Sequence, residues 1–172
     1  MGTKTLFFGL WPDDRQRDRM RDFIVPVTKL VDGRAVERRE WHITLVYIGD
    51  LDERYIPELQ EAARAISFEP FRLRLDRMEF WPRPKIAAMV PPTVPTELDK
   101  LVSDLSGIVF AAGVETQQRV YRPHVTVVRN ARPFETERLP QSASTDWSGF
   151  ELLEVLRERG STTYRPLVRD FG

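Results

Sequence analysis

The sequence predicts an α+β fold, arranged as two lobes of one compact unit, and three observations carry that expectation. Segments with strand-like alternation interleave with segments of helical spacing along the whole 172-residue chain. These segments recur in two comparable halves, and in each half a helix is followed soon by a strand reading His-x-Thr. No linker rich in Gly, Ser or Pro separates the halves, so we expect a single domain over 1–172. Roughly, 1–90 carries the first His-x-Thr motif and 91–172 the second.

The elements follow in order. "TKTLFFGLW" (3–11) alternates and then turns apolar, which predicts a buried first strand. Pro12, Asp13 and Asp14 open a helix, because proline suits the first turn and acids suit its positive end; it should stop near Val25, where Pro26 intervenes. "RAVERREWHITLVYIGD" (34–50) reads as two strand pieces around a turn. Ile56, Leu59, Ala62, Ala63 and Ile66 have helical spacing. Phe71, Leu73 and Leu75 alternate, predicting a strand with one wet face that turns at "RPK" (83–85) into a second strand, "KIAAMVPP". A helix over 94–113 ends at Gly113, and "RPHVTVVRNA" (122–131) is a strand. The segment 147–171 reads as two strands joined by "ERGS", although "FELLEVLRER" also fits a helix.

Composition narrows the function. Lys plus Arg and Asp plus Glu both number 26, so the chain has no net charge and is not built to coat long nucleic acid, although a local basic cleft remains open to it. It has no cysteine, hence no disulfide frame and no thiolate zinc site. The first apolar run is too short for a signal peptide and none approaches membrane-spanning length. We therefore expect a cytoplasmic protein that does not engage a membrane.

The two histidines are the main chemical clue. They occur as "HITLV" and "HVTVV", one in each half. In a strand, residues i and i+2 share a face, so His42 sits beside Thr44 and His124 beside Thr126. Only 12 of the 172 residues are Thr, so both histidines being followed by Thr at i+2 is a rare coincidence. Two imidazoles across a cleft suit concerted acid–base chemistry: one accepts a proton from an attacking hydroxyl, the other donates one to a leaving oxygen. Threonine hydroxyls and nearby arginines suit the non-bridging oxygens of a phosphate. A metal site completed by Asp50 or Glu40 is the rival chemistry. The spacing does not favour it, because His-x-x-x-His is absent and threonine is not an expected ligand. We expect no metal and no cofactor. Arg122 and Arg129 flank the second motif and are candidate phosphate ligands, and Arg34, Arg38, Arg39 and Arg119 also lie close to a motif. Trp81 and Tyr121 are candidate stacking partners for a terminal base, Tyr164 shares the ambiguity between stacking and core, and Trp41 reads as core. Phe7 and Phe8 are neighbours on one strand and face opposite ways; Phe8 is the candidate for the cleft.

With "LFFGL", "WHITLVYIGDL", "EFWPRPKIAAMV" and "RPHVTVVRNAR" in this order, nearly the whole chain resembles the 2H phosphoesterases. Within them it looks most like the RNA 2′,3′-cyclic phosphodiesterases, the ThpR or LigT-like 2′-5′ RNA ligases. The resemblance implies a bilobal fold of two antiparallel sheets related by a pseudo-two-fold axis, lining a central cleft with helices outside. His42, Thr44, His124 and Thr126 match the family's catalytic positions, and Arg129 a position where arginine often lines the site. Glu40 and Val127 depart from the commoner Asn and Leu without removing a catalytic group. The implied reaction is hydrolysis of a 2′,3′-cyclic phosphate RNA end to a 2′-phosphate, with His124 as proton acceptor toward water and His42 as proton donor to the leaving 3′ oxygen. Ligation in reverse exchanges the roles. Rival substrates are ADP-ribose cyclic phosphate and 2′-5′ oligoadenylate; the non-enzymatic rival is a module that binds nucleotides or RNA ends. We expect a monomer with RNA or a small nucleotide as its partner and no protein partner.

Overall fold

A computed structural model describes residues 2–116 and 119–171. Among these residues, nine strands form two antiparallel sheets. The first has the order β3 (Ile43–Asp52), β1 (Thr3–Leu10), β8 (Phe150–Glu158), β9 (Ser161–Phe171). The second has the order β2 (Arg34–Ala35), β6 (Val125–Arg129), β5 (Ile86–Val90), β4 (Phe71–Trp81), β7 (Glu137–Trp147). Each sheet thus draws strands from both halves of the chain. Three helices complete the fold: α1 (Asp14–Thr28), α2 (Ile56–Arg64) and α3 (Thr96–Ala111). Among the described residues, no helix is long and apolar enough to cross a membrane.

Strand β1 lies between β3 and β8, which is why its apolar run does not alternate: Leu6 to Leu10 are all buried. Register shifts interrupt its pairing with β3 between Leu6 and Phe7 and between Phe8 and Gly9. Helix α1 starts with a capping box, in which Gln16 N–H donates to Asp13 Oδ1 at 2.7 Å and Asp13 N–H donates to Gln16 Oε1 at 2.8 Å. It runs past Pro26, not ending near Val25 as expected. Pro26 is exposed in the last turn, where the backbone bond it cannot make faces solvent, while Val27 beyond it is buried and anchors the turn. Helix α3 ends as expected, with Gly113 at φ 88°: Gly113 N–H donates to the Phe110 carbonyl and Val114 N–H to that of Val109.

The C-terminal segment is two strands, not a helix. Glu158 pairs with Ser161 across Arg159 and Gly160, whose φ values of 46° and 80° make the tight turn that matches strand twist. Strand β7 has no counterpart in the sequence reading. Its Pro, Gln and Ser content looks like loop, and it survives as an edge strand because it pairs with β4 alone, turning only Ala143, Thr145 and Trp147 inward.

Candidate active site

The two sheets face one open cleft of about 1810 Å³, and both histidine motifs line it. His42 leaves a short 3-10 turn (Arg38–Glu40) to begin β3, and His124 immediately precedes β6. The same local device orients both rings. His42 Nδ1–H donates to the Glu40 carbonyl at 2.7 Å, and His124 Nδ1–H donates to the Arg122 carbonyl at 2.9 Å, each two residues upstream. A carbonyl only accepts, so Nδ1 carries the proton and Nε2 keeps its lone pair. The Thr44 hydroxyl donates to His42 Nε2 at 3.2 Å. Among the described residues His124 Nε2 has no hydrogen-bond partner.

Burial sets the electrostatics. Desolvation is the main cause that pushes His42 down to about 4, with His124, Arg129 and Arg17 acting in the same direction and the Glu40 carbonyl opposing them. His124 is likewise lowered, chiefly by desolvation and then by Arg122 and Arg129. Both imidazoles are thus neutral in the free protein at pH 7. The unfolded chain takes up a proton near pH 6.5 that folded His42 refuses until about 4, so this contribution to stability is full above pH 6.5 and is lost as pH falls through that window.

The aromatic surroundings differ between the two motifs. His42 sits among Phe7, Trp11 and Tyr164, with ring centroids at 5.1, 6.0 and 4.8 Å. His124 packs on Trp81 at 4.3 Å, and the Arg122 guanidinium lies over that same indole at 4.3 Å while pairing with Glu79 at 3.2 Å. Of the residues singled out from sequence, His42, Thr44, His124, Thr126, Arg122, Arg129, Tyr121 and Trp81 all line the cleft. Phe8 does not. It is fully buried between Phe150 and Phe171, and its neighbour Phe7 takes the place in the cleft. The opposite facing of the two rings is as expected, but the phase is reversed.

Tyr121 lines the cleft with its hydroxyl already engaged, donating to the Thr44 carbonyl at 2.8 Å and so tying the approach to the second motif onto the strand of the first. Burial raises its pKa and keeps it a neutral donor. Tyr121→Phe leaves that carbonyl unpaired, so we expect a loss of about 1–3 kcal/mol of stability; an unfolding midpoint equal to wild type contradicts the latch.

Trp11 and Arg17 were not singled out from sequence. Arg17 is buried, donates to the Pro12 and Arg38 carbonyls, and stacks over Trp11 at 4.6 Å, bracing the turn that leads into His42. The signal was present: Arg17 shares the buried stripe of α1 with Met20, Ile24 and Val27, an unusual place for an arginine. The cleft wall holds eight arginines against four glutamates, so a chain of zero net charge presents a positive cleft.

The sequence profile of the 2′-5′ RNA ligase superfamily matches residues 12–154. The chain is 32% identical over 114 residues to an RNA 2′,3′-cyclic phosphodiesterase of Aeropyrum pernix, a match spanning 64% of each chain. It is 28% identical over 141 residues to the Escherichia coli K12 protein of the same name, covering 80% of this chain and 78% of that one. Two crystal structures of E. coli LigT superpose on it: the apo form at TM-score 0.87 and 25% identity, covering 98% and 96% of the two chains, and the complex with 3′-AMP at 0.86 and 24%, covering 96% of both. Two antiparallel sheets with His-x-Thr strands at one cleft are the 2H phosphoesterase fold, and the chain belongs to the 2′-5′ RNA ligase superfamily.

Proposed function

We propose that this protein hydrolyses 2′,3′-cyclic phosphate ends of RNA to 2′-phosphates by metal-independent catalysis with His42 and His124. The observation that carries this reading is the pair of imidazoles at one cleft, each held through Nδ1 by the carbonyl two residues upstream, so that Nε2 is the atom available for proton transfer. The names of the A. pernix and E. coli relatives, and the nucleotide in the LigT complex, support the substrate class.

In this mechanism water attacks phosphorus in line, its proton passes to His124 Nε2, the P–O3′ bond breaks, and His42 supplies the proton that O3′ takes up. The product is a 2′-phosphate beside a free 3′-hydroxyl, and exchange with solvent resets both rings. That His124 Nε2 has no partner among the described residues favours it as the acceptor. The substrate anion offsets the desolvation that holds His42 neutral. Thr44, Thr126 and Arg129 face the non-bridging oxygens. The reverse reaction, 2′-5′ ligation, uses the same groups with the proton roles exchanged. Phosphorus NMR of a cyclic-phosphate oligonucleotide incubated with the protein and EDTA tests the proposal. A 2′-phosphate resonance is expected; no turnover, or a 3′-phosphate product, overturns it.

The depressed imidazoles set the pH dependence. The working state holds one proton on the pair, and both groups lose theirs below the ordinary histidine value. The kcat/KM profile, which reports the free enzyme, should therefore peak below pH 6.5, and that of kcat should peak higher because bound phosphate favours imidazolium. Coincident optima above pH 7 contradict this.

A further inference from the structure

The cleft face of the second sheet carries a row of opposed residues of which one, Arg34, has no part in hydrolysis at the two histidines. Arg34 on β2 stands opposite Arg129 on β6, Arg129 opposite Ile86 on β5, and Ile86 opposite Trp81 on β4. Directly opposed residues share a face, and all four line the cleft. Like charges placed this way destabilise a sheet. Neither Arg34 nor Arg129 has an ion pair or hydrogen bond from its side chain to any described residue, although acidic partners neutralise many other arginines of this protein.

The chain also goes out of its way to hold the pair together. Gly33, at φ 150°, lets β2 press onto β6: a Cβ there would stand 2.6 Å from Val128 Cγ1 and 2.9 Å from the Arg129 carbonyl. Val36 N–H donates to the Val127 carbonyl at 2.9 Å, closing the same contact from the other end. Two arginines paired across strands about 5 Å apart, both uncompensated and both lining the cleft, make a site for an anion. Arg129 bears on both histidines and so belongs next to the reacting phosphate. Arg34 lies one strand farther out, on edge strand β2, still in the cleft wall.

We propose that Arg34, together with Arg129, forms a second phosphate subsite that holds the phosphodiester linking the terminal nucleotide of RNA to the one before it. This rests on the cyclic phosphodiesterase reading and adds a selectivity to it: oligonucleotides are preferred over cyclic mononucleotides, which have no second phosphate.

The test compares kcat/KM for a five-nucleotide RNA ending in a 2′,3′-cyclic phosphate with that for 2′,3′-cyclic AMP. The ratio of the two should fall about tenfold in Arg34→Ala, the effect of one charge-assisted hydrogen bond, and be partly restored in Arg34→Lys. The slope of log kcat/KM for the oligomer against log salt should shrink by about 0.7, as for one phosphate contact on a single strand. Arg72→Ala, which removes an exposed pair with Asp146, serves as the control and keeps the wild-type ratio. ADP-ribose cyclic phosphate is the third arm, since its pyrophosphate offers the same charge. Loss on that substrate without loss on the oligomer overturns the RNA assignment, and an unchanged ratio in Arg34→Ala overturns the subsite. If wild type opens none of the three substrates, the cyclic phosphodiesterase reading itself has failed.

Discussion

His42→Ala and His124→Ala should each lower kcat on a cyclic-phosphate RNA end by about 10²–10⁴-fold, the range that a positioned acid or base contributes. The double variant should fall little further than the worse single variant, because groups that act on one transition state are not additive. Both single variants should fold, since each ring is only half-buried and lines the open cleft rather than the core. The leaving group separates the two roles. A nitrophenyl phosphodiester departs without a proton, so the loss in His42→Ala should shrink on it while the loss in His124→Ala persists. Equal losses on both substrates in both variants contradict the assignment of His42 as donor and His124 as acceptor.

Phe8→Ala should cost about 3–5 kcal/mol of stability, the usual range for truncating a buried phenylalanine. Its ring is fully enclosed, edge-on to Phe150 at 5.9 Å and to Phe171 at 6.5 Å, with the core of the first sheet around it. Molecules that remain folded should keep normal kcat and KM, because Phe8 does not reach the cleft. Phe7→Ala should behave differently: Phe7 packs on His42 at 5.1 Å and on Tyr164 at 5.5 Å, so its loss should lower kcat even where the protein is folded. Denaturant unfolding and steady-state kinetics on the two variants check this. A KM defect in folded Phe8→Ala contradicts the placement.

These two phenylalanines show where sequence reading reaches and where it stops. Alternation along a strand is a local property, and it correctly says that Phe7 and Phe8 face opposite ways. Which of them faces the core depends on the phase of the whole strand, and β1 carries two register shifts against β3 on either side of this pair. The His-x-Thr motifs were legible because their meaning is local: two residues on one strand share a face regardless of what packs behind it. The surroundings of His42 were less so. Trp11 and Tyr164 reach it from the end of β1 and from β9, brought together by the sheet order β3-β1-β8-β9, and Arg17 on α1 acts on it through charge. Tyr121 shows the same limit in another form. Its aromatic ring was noticed, but its bond to the Thr44 carbonyl joins positions 77 residues apart.

Strand β7 is hard to read for a thermodynamic reason: an edge strand buries one face along part of its length, so few of its residues need be apolar and Pro140 and Ser144 are tolerated. Helix α1 overran its expected stop because Pro26 faces solvent in the final turn, where a missing backbone bond costs little.

In the proposed mechanism two imidazoles handle one phosphorus at once. A crystal structure with a bound nucleoside 2′-monophosphate tests this directly. The phosphate is expected within hydrogen-bond distance of the Nε2 atoms of both His42 and His124, with the 3′-hydroxyl beside His42 and the phosphate oxygen that came from water beside His124. A phosphate held by one ring alone, with the other turned into the protein, would contradict the two-histidine mechanism.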